Sequence, residues 1–163
     1  MKSYIPTINI SSLLDKNFKS VNAKKTIKKI EKACVEVGFF QITNNGIKKK
    51  NIDDIAKVGK YFFNSSAKNK LKLAPKKWNN LNTNIYRGYF PADVNGKEGL
   101  DIGDLKVNKK YAFKLKNSYI ECLNLNKAFN KKSINILSNY FDQIFILGEI
   151  LFKSIIQLYK KDI

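Results

Sequence analysis

Arg87 is the strongest candidate among the residues whose chemistry could serve a function. The chain has 163 residues and 31 lysines and arginines, of which Arg87 is the only arginine. A guanidinium can donate two parallel hydrogen bonds to a carboxylate, so Arg87, beside Gly88 and Tyr89, could clamp a carboxylate of a bound molecule. The alternative is a structural ion pair with Glu98 or Asp101, and the sequence leaves both possibilities open.

The absence of histidine restricts the possible chemistry more than any residue that is present. Without an imidazole the chain cannot form Ser–His or Cys–His nucleophile pairs, nor an iron site of two histidines and one carboxylate. Carboxylates alone could hold Mg²⁺ or Ca²⁺, but the acidic segment 93–104 lacks the ligand spacing of a calcium loop. We therefore predict no metal ligand, no catalytic residue and no cofactor bound by this chain.

The net charge of +18 could indicate binding to nucleic acid or to another anionic surface. Specific recognition of bases and phosphates relies heavily on arginine, and this chain has one. We therefore predict no specific nucleic-acid partner and expect the lysine runs 24–25 and 48–50 to be solvated. A basic binder of anionic surfaces or nucleic acid remains an alternative function.

The sequence shows no sign of export or membrane insertion. Residues 1–10 contain no apolar signal segment, and polar residues interrupt the most apolar stretch, 134–158. The two cysteines, Cys34 and Cys122, lack metal-binding or redox spacing and are expected to be reduced thiols. We predict a cytoplasmic protein with no membrane partner.

Hydrophobic spacing predicts an α+β fold in which helices pack on a few short strands. Strands are predicted at 5–10 and 39–43. Between them Asn22 is expected to cap a helix that ends at Gly38. Its predicted apolar face consists of Ile27, Ile30, Cys34 and Val37.

A second helix is predicted around residues 51–64, with Ile52, Ile55, Val58 and Phe62 on one face. Residues 76–83 are polar and predicted to form a loop. The residues expected to be among the most buried are Phe39, Phe40, Ile42, Phe62 and Phe63.

The last predicted element is a long helix at 133–159 that is apolar on more than one face. A helix of this kind normally packs against partners on several sides, and the predicted covering partner is missing from this sequence. We therefore expect an exposed apolar patch and possible self-association through residues 141–155.

Four short motifs occur in order between residues 5 and 103. They are IPTINIS at 5–11, ACVEVGFFQITNNG at 33–46, FFNSSAKNKL at 62–71, and RGYFP with KEGLDIG within 87–103. The set resembles I-P-x-I-D-L-S, A-C-x-x-x-G-F-F-x-x-x-N-H-G, F-F-x-L-P-x-x-x-K and R-G-Y-x-P…K-E-x-F-D-I-G. The four patterns that the set resembles are those of the non-haem dioxygenase N-terminal region of the isopenicillin N synthase-like, Fe(II)- and 2-oxoglutarate-dependent oxygenases. The sequence therefore resembles that region of the family.

The resemblance implies an enzyme that uses Fe(II) and 2-oxoglutarate, with Arg87 and Tyr89 on the substrate side. Tyr89 could equally be a core aromatic with a satisfied hydroxyl. Asn9 and Asn45 replace an Asp and a His of the family motifs, neither of which is an iron ligand there. The family's His-x-Asp, distant His and Arg-x-Ser lie in a C-terminal double-stranded β-helix that this sequence lacks.

These observations predict three segments: an N-terminal dioxygenase domain at 1–105, a linker at 106–132, and the long helix at 133–159 leading to the absent catalytic domain. The predicted function is the N-terminal part of an oxidoreductase that supports fold and substrate pocket but is inactive alone. The predicted partner is the missing C-terminal catalytic domain. A non-catalytic interaction module is the other alternative.

Overall fold

A computed structural model describes residues 5–92, 96–103, 105 and 123–159. The chain divides into two compact units, unit 1 (Met1–Lys49 and Asp142–Ile163) and unit 2 (Lys50–Phe141). Both units contain helices and short strands, so the predicted mixture of α and β structure is confirmed. No helix among the described residues is long and apolar enough to cross a membrane.

Unit 1 is built on a parallel pair of three-residue strands, β1 (Thr7–Asn9) and β2 (Gln41–Thr43). Ile8 lies opposite Ile42 in the register. Parallel strands need a long crossover connection, which is supplied here by helix α1 (Val21–Glu36). A 3-10 turn at Ser11–Leu13 follows β1.

The buried face of α1 differs from the predicted one. Its buried residues are Ala23, Thr26, Ile27, Ile30 and Ala33. Small Ala33 belongs to the core that contains Ile8, whereas Cys34 and Val37 are exposed. The predicted burial of Cys34 and Val37 is wrong because the buried stripe advances from Ile30 by three residues rather than four.

The ends of α1 follow standard capping chemistry. The Ser20 hydroxyl accepts a hydrogen bond from the Ala23 amide at 3.2 Å, so Ser20 caps the helix and the predicted cap at Asn22 is wrong. Gly38 ends the helix with φ +81°, a conformation that glycine adopts at little cost, as predicted.

The core of unit 1 joins the strands and α1 to the second half of helix α4 (Lys131–Tyr159). The predicted helix 133–159 lies within α4. Fully covered residues of this core include Ile10, Leu13 and Ile30, and α4 contributes Leu147 and Ile150. Phe40 and Ile42 pack against it while half-buried. Phe39 is 71% exposed, because β2 begins only at Gln41 and Phe39 lies in the loop after Gly38. Its predicted burial is wrong.

Unit 2 contains α2 (Lys49–Phe63), α3 (Ala67–Leu71) and an antiparallel pair, β3 (Gly88–Phe90) and β4 (Gly99–Asp101). Phe62 is 1% exposed, which confirms its predicted burial, and Phe63 is half-buried. Other core members include Val58, Leu73, Leu125, Phe129 and Leu137. A 3-10 turn at Leu125–Lys127 lies in the predicted linker 106–132; residues 106–122, including Cys122, fall outside the described residues.

Candidate functional site

The β3–β4 pair positions both residues that the sequence selected. Tyr89 lies opposite Leu100 and Gly88 lies opposite Asp101, with Arg87 immediately before β3. The Tyr89 amide donates to the Leu73 carbonyl at 3.1 Å, which fixes β3 against the segment after α3. The site therefore depends on a close approach between two backbone segments.

Asparagine side chains hold this approach together. Buried Asn82 donates from Nδ2 to the Ala74 carbonyl at 2.6 Å, and its Oδ1 accepts from Lys127 Nζ at 2.7 Å. Asn84 donates from Nδ2 to the carbonyls of Arg87 and Leu73, at 2.5 and 3.3 Å. The side-chain amides of Asn82 and Asn84 thus supply hydrogen bonds to the segment after α3, because the three-residue strand β3 makes few backbone hydrogen bonds to it.

A lysine–glutamate–tyrosine cluster lies beside this hairpin. Lys70 Nζ donates to Glu98 Oε2 at 2.7 Å, and the Tyr89 hydroxyl donates to the same oxygen at 2.7 Å. Lys70 also donates to the Phe63 carbonyl at 3.1 Å and lies 5.4 Å from the centroid of the Tyr89 ring. Only 13% of the Lys70 side chain is exposed. The cluster therefore ties α3 to both strands of the hairpin.

These contacts shift the pKa of each member in the direction that keeps the cluster intact. Hydrogen bonds from Lys70 and Tyr89 lower the pKa of Glu98. The hydrogen bond to Glu98 raises the pKa of Lys70. Burial, followed by the hydrogen bond to Glu98, raises the pKa of Tyr89. At neutral pH the cluster is a charged lysine, a carboxylate and a neutral phenol, which makes Glu98 a poor proton acceptor.

The guanidinium of Arg87 contacts the hairpin as well. Arg87 Nη1 lies 3.1 Å from Asp101 Oδ1, and 30% of the arginine side chain is exposed. Of the two carboxylates expected from the sequence, Asp101 is the partner of Arg87, while Glu98 binds Lys70 and Tyr89. Lys70 was not predicted as a site residue, and its only sequence signal was its position in the FFNSSAKNKL motif at 62–71.

The described part of the chain holds no group of three or more His, Cys, Asp or Glu side chains that could bind a metal ion. Oε2 of Glu98 already accepts two hydrogen bonds. The arrangement can position a strand and a guanidinium, but these residues do not assemble an acid–base pair or a metal centre.

Glu98→Gln is expected to lower the free energy of unfolding near neutral pH. The pKa of Glu98 is lower in the folded state than the ordinary glutamate value of about 4.3. The carboxylate therefore stabilises the fold fully at pH values above about 4.3, and this stabilisation is lost as the pH falls through the folded-state pKa. Urea unfolding across this range should show the difference between the two proteins shrinking in acid. Stability should also fall at high pH. The pKa values of Lys70 and Tyr89 are raised in the folded state, so their contribution to stability is lost only in strongly alkaline solution.

Glu31→Gln supplies the control, because Glu31 is exposed and makes no ion pair within the described residues. It should leave the free energy of unfolding near neutral pH unchanged. Equal curves for Glu98→Gln and the unmodified chain would show that the cluster contributes nothing to folding.

Comparison with known proteins identifies a matching family and several similar proteins. Residues 5–131 match the family described as non-haem dioxygenase in morphine synthesis N-terminal. The chain is 32% identical to flavonol synthase/flavanone 3-hydroxylase of Solanum tuberosum, covering 58% of this chain and 26% of that protein. It is 30% identical to isopenicillin N synthase of Streptomyces griseus, covering 62% of this chain and 29% of that protein. The chain thus spans between a quarter and a third of the length of these relatives.

A solved structure has a similar fold. It is dioxygenase for auxin oxidation 1 from Arabidopsis thaliana, in a binary complex with 2-oxoglutarate. The TM-score is 0.66 at 18% sequence identity, and the alignment covers 96% of this chain and 50% of that one. At this identity the likeness concerns the fold alone.

Proposed function

Because this chain belongs to the non-haem dioxygenase N-terminal family, whose members are Fe(II)- and 2-oxoglutarate-dependent dioxygenases, we propose that it is the N-terminal part of such an oxidoreductase. In this proposal the 163 residues supply supporting structure and one wall of a substrate pocket, and they are inactive alone. The match over residues 5–131 is the observation that carries the proposal.

The residues present do not fit the family's iron. A two-histidine, one-carboxylate site needs imidazoles, and the sequence contains none. The two carboxylates beside Arg87 and Tyr89 are also engaged, with Glu98 bound by Lys70 and Tyr89 and Asp101 beside Arg87. Iron and 2-oxoglutarate would therefore be held by a catalytic β-helix domain outside these residues, and we assign no catalytic step to this chain.

Arg87 remains the proposed substrate-side residue. Its guanidinium is partly exposed, and its planar donors match a carboxylate bidentately. Tyr89 is proposed to support the same wall of the pocket by packing, because its ring lies in the core of unit 2 and its hydroxyl donates to Glu98.

An anaerobic titration of this chain with Fe(II) is expected to reveal no saturable site, with or without 2-oxoglutarate, because the donor set is missing. Binding can be followed by calorimetry and by the metal retained after desalting. A tight one-to-one site coupled to turnover of 2-oxoglutarate would refute the proposal.

The proposed partner is the catalytic domain, and the proposed contact surface is the exposed apolar face of α4. Phe152 is 66% exposed and Ile146 is 48% exposed, although the same half of the helix places Leu147 and Ile150 in the core of unit 1. At 3.6 residues per turn Phe152 faces away from Leu147 and Ile150, whereas Ile146 lies next to Ile150 at the edge of the buried stripe. Apolar side chains outside the buried stripe of a helix require a cover of their own. One face is covered by unit 1, so the other is available for the partner.

The isolated chain is expected to self-associate through residues 141–155, because this face attracts a second copy when the partner is absent. Its high charge opposes association only weakly, since screening acts over about 8 Å at physiological salt. Light scattering against concentration should show association, and Ile146→Lys with Phe152→Lys should reduce it. Val35→Lys is the matched control: Val35 is 81% exposed on α1, and this variant should associate like the unmodified chain. A monomer at high concentration and high salt would contradict the proposed contact.

A further inference from the structure

A groove in unit 1 lies between the first half of α1 and the last turn of α4. Its volume is about 560 Å³, within the range of sites that hold small molecules. All its lining residues belong to unit 1, and the proposed function makes no use of them.

The groove has an apolar floor and a cationic rim. The floor consists of Phe18, Ile27 and Leu158. The rim carries Lys19, Lys24, Lys25 and Lys28, together with Val21, which is 70% exposed. On α1 the positions 21, 24, 25 and 28 follow one another at helical spacing and therefore form one stripe along the helix. The Lys24–Lys25 run, expected to be a plain solvated surface, thus borders a cavity.

The rim has a strong excess of positive charge. Glu31 is the only acidic residue among the residues that line the groove. Within the described residues none of the four rim ammonium groups makes an ion pair, whereas Lys32, one turn after Lys28 on α1, lies 3.9 Å from Glu36. Unneutralised lysines around an apolar floor are complementary to a ligand that combines an anionic head with an apolar body.

We propose that this groove binds a small amphipathic carboxylate, with its alkyl chain on the floor and its carboxylate among the rim lysines. The volume suits a single-chain molecule rather than a folded protein segment. Lysine also suits the head group, because an ammonium contacts a carboxylate as a mobile point charge without requiring a fixed orientation. This site is independent of the proposed oxygenase function, so either can fail without the other.

Decanoate is the probe, used below its micelle-forming concentration and at a protein concentration below the onset of association. Backbone amide NMR should show saturable shifts confined to α1 residues 21–31 and the end of α4. Octanoate should bind more weakly, by about fourfold for each buried methylene lost. Decyltrimethylammonium, which has the same chain and the opposite charge, should not bind there.

Two matched double variants separate the groove from the general charge of the protein. Lys25→Gln with Lys28→Gln removes two rim charges and should weaken decanoate binding about fivefold to tenfold, the effect of losing two partly exposed charge contacts. Lys57→Gln with Lys60→Gln removes the same charge from exposed positions of α2 in unit 2, neither of which lines the groove, and should leave affinity unchanged. Circular dichroism checks that both variants fold.

Three results would overturn the proposal. Equal weakening in both double variants would mean that decanoate follows net charge alone. Equal affinity for octanoate and decanoate would mean that the apolar floor is not used. Binding of anionic vesicles through the rim lysines, without binding of free decanoate, would assign the surface to a membrane instead.

Discussion

Gly88→Ala is expected to lower the free energy of unfolding by roughly 3–5 kcal/mol, enough to unfold much of the population of a marginally stable domain. Gly88 has φ +128°, a conformation that side chains with a Cβ rarely adopt. A Cβ added there would lie 2.1 Å from the Leu73 carbonyl oxygen and 2.8 Å from Asn84 Nδ2. Neither group can move freely, because that carbonyl accepts from the Tyr89 amide and from Asn84.

Gly99→Ala is the matched control in the facing strand. Gly99 lies opposite Phe90, and a Cβ added to it would have no atom within 4 Å. Urea unfolding followed by circular dichroism should show a small effect for Gly99→Ala and a large one for Gly88→Ala. Similar stability for the two variants would mean that the hairpin does not pack on the segment at Leu73 as described.

Phe62→Ala is expected to cost roughly 3–5 kcal/mol, the usual range for removing a fully buried phenylalanine. The Phe62 ring stacks on Phe129 at 5.0 Å and meets Phe63 and Tyr89 edge-to-face at 5.4 and 5.9 Å. Its loss would leave a cavity and also remove support from the Tyr89 ring, whose hydroxyl holds Glu98. Thermal and urea unfolding measure the effect.

Phe39→Ala makes the same chemical change at a site that is 71% exposed. It should change stability by less than about 0.5 kcal/mol, as surface substitutions usually do. If Phe39→Ala proved as destabilising as Phe62→Ala, Phe39 would be buried in solution and the description of the loop before β2 would be wrong.

The sequence predicted the helices better than the burial of individual side chains. Phe62 was assigned correctly because Ile55, Val58 and Phe62 recur at helical spacing, a local property. Phe39 was not, because hydrophobicity alone cannot tell where the chain turns after a glycine with positive φ. The burial of Cys34 was predicted wrongly for a related reason. Steps of three and of four residues from Ile30 are both compatible with a helix, and only the packing around Ala33 selects the three-residue step.

The contacts around Arg87 were predicted in part, while its role toward a substrate stays a prediction. Arg87 was selected from composition, and Asp101 was one of its two expected partners. The contact between Lys70 and Glu98 joins residues 28 positions apart through a hairpin, so no local pattern could reveal it. The hydrogen bond from Asn82 to the Ala74 carbonyl likewise depends on how a polar segment folds back, which the sequence indicated only as a loop.

The most direct test of the central claim is the sequence of the transcript beyond the codon for Ile163. We expect the reading frame to continue into a catalytic β-helix domain, with His-x-Asp, a distant His and Arg-x-Ser in that order. These would supply the imidazoles that the 163 residues lack. A stop codon directly after Ile163, followed by an unrelated gene, would contradict the account and favour a non-catalytic interaction module.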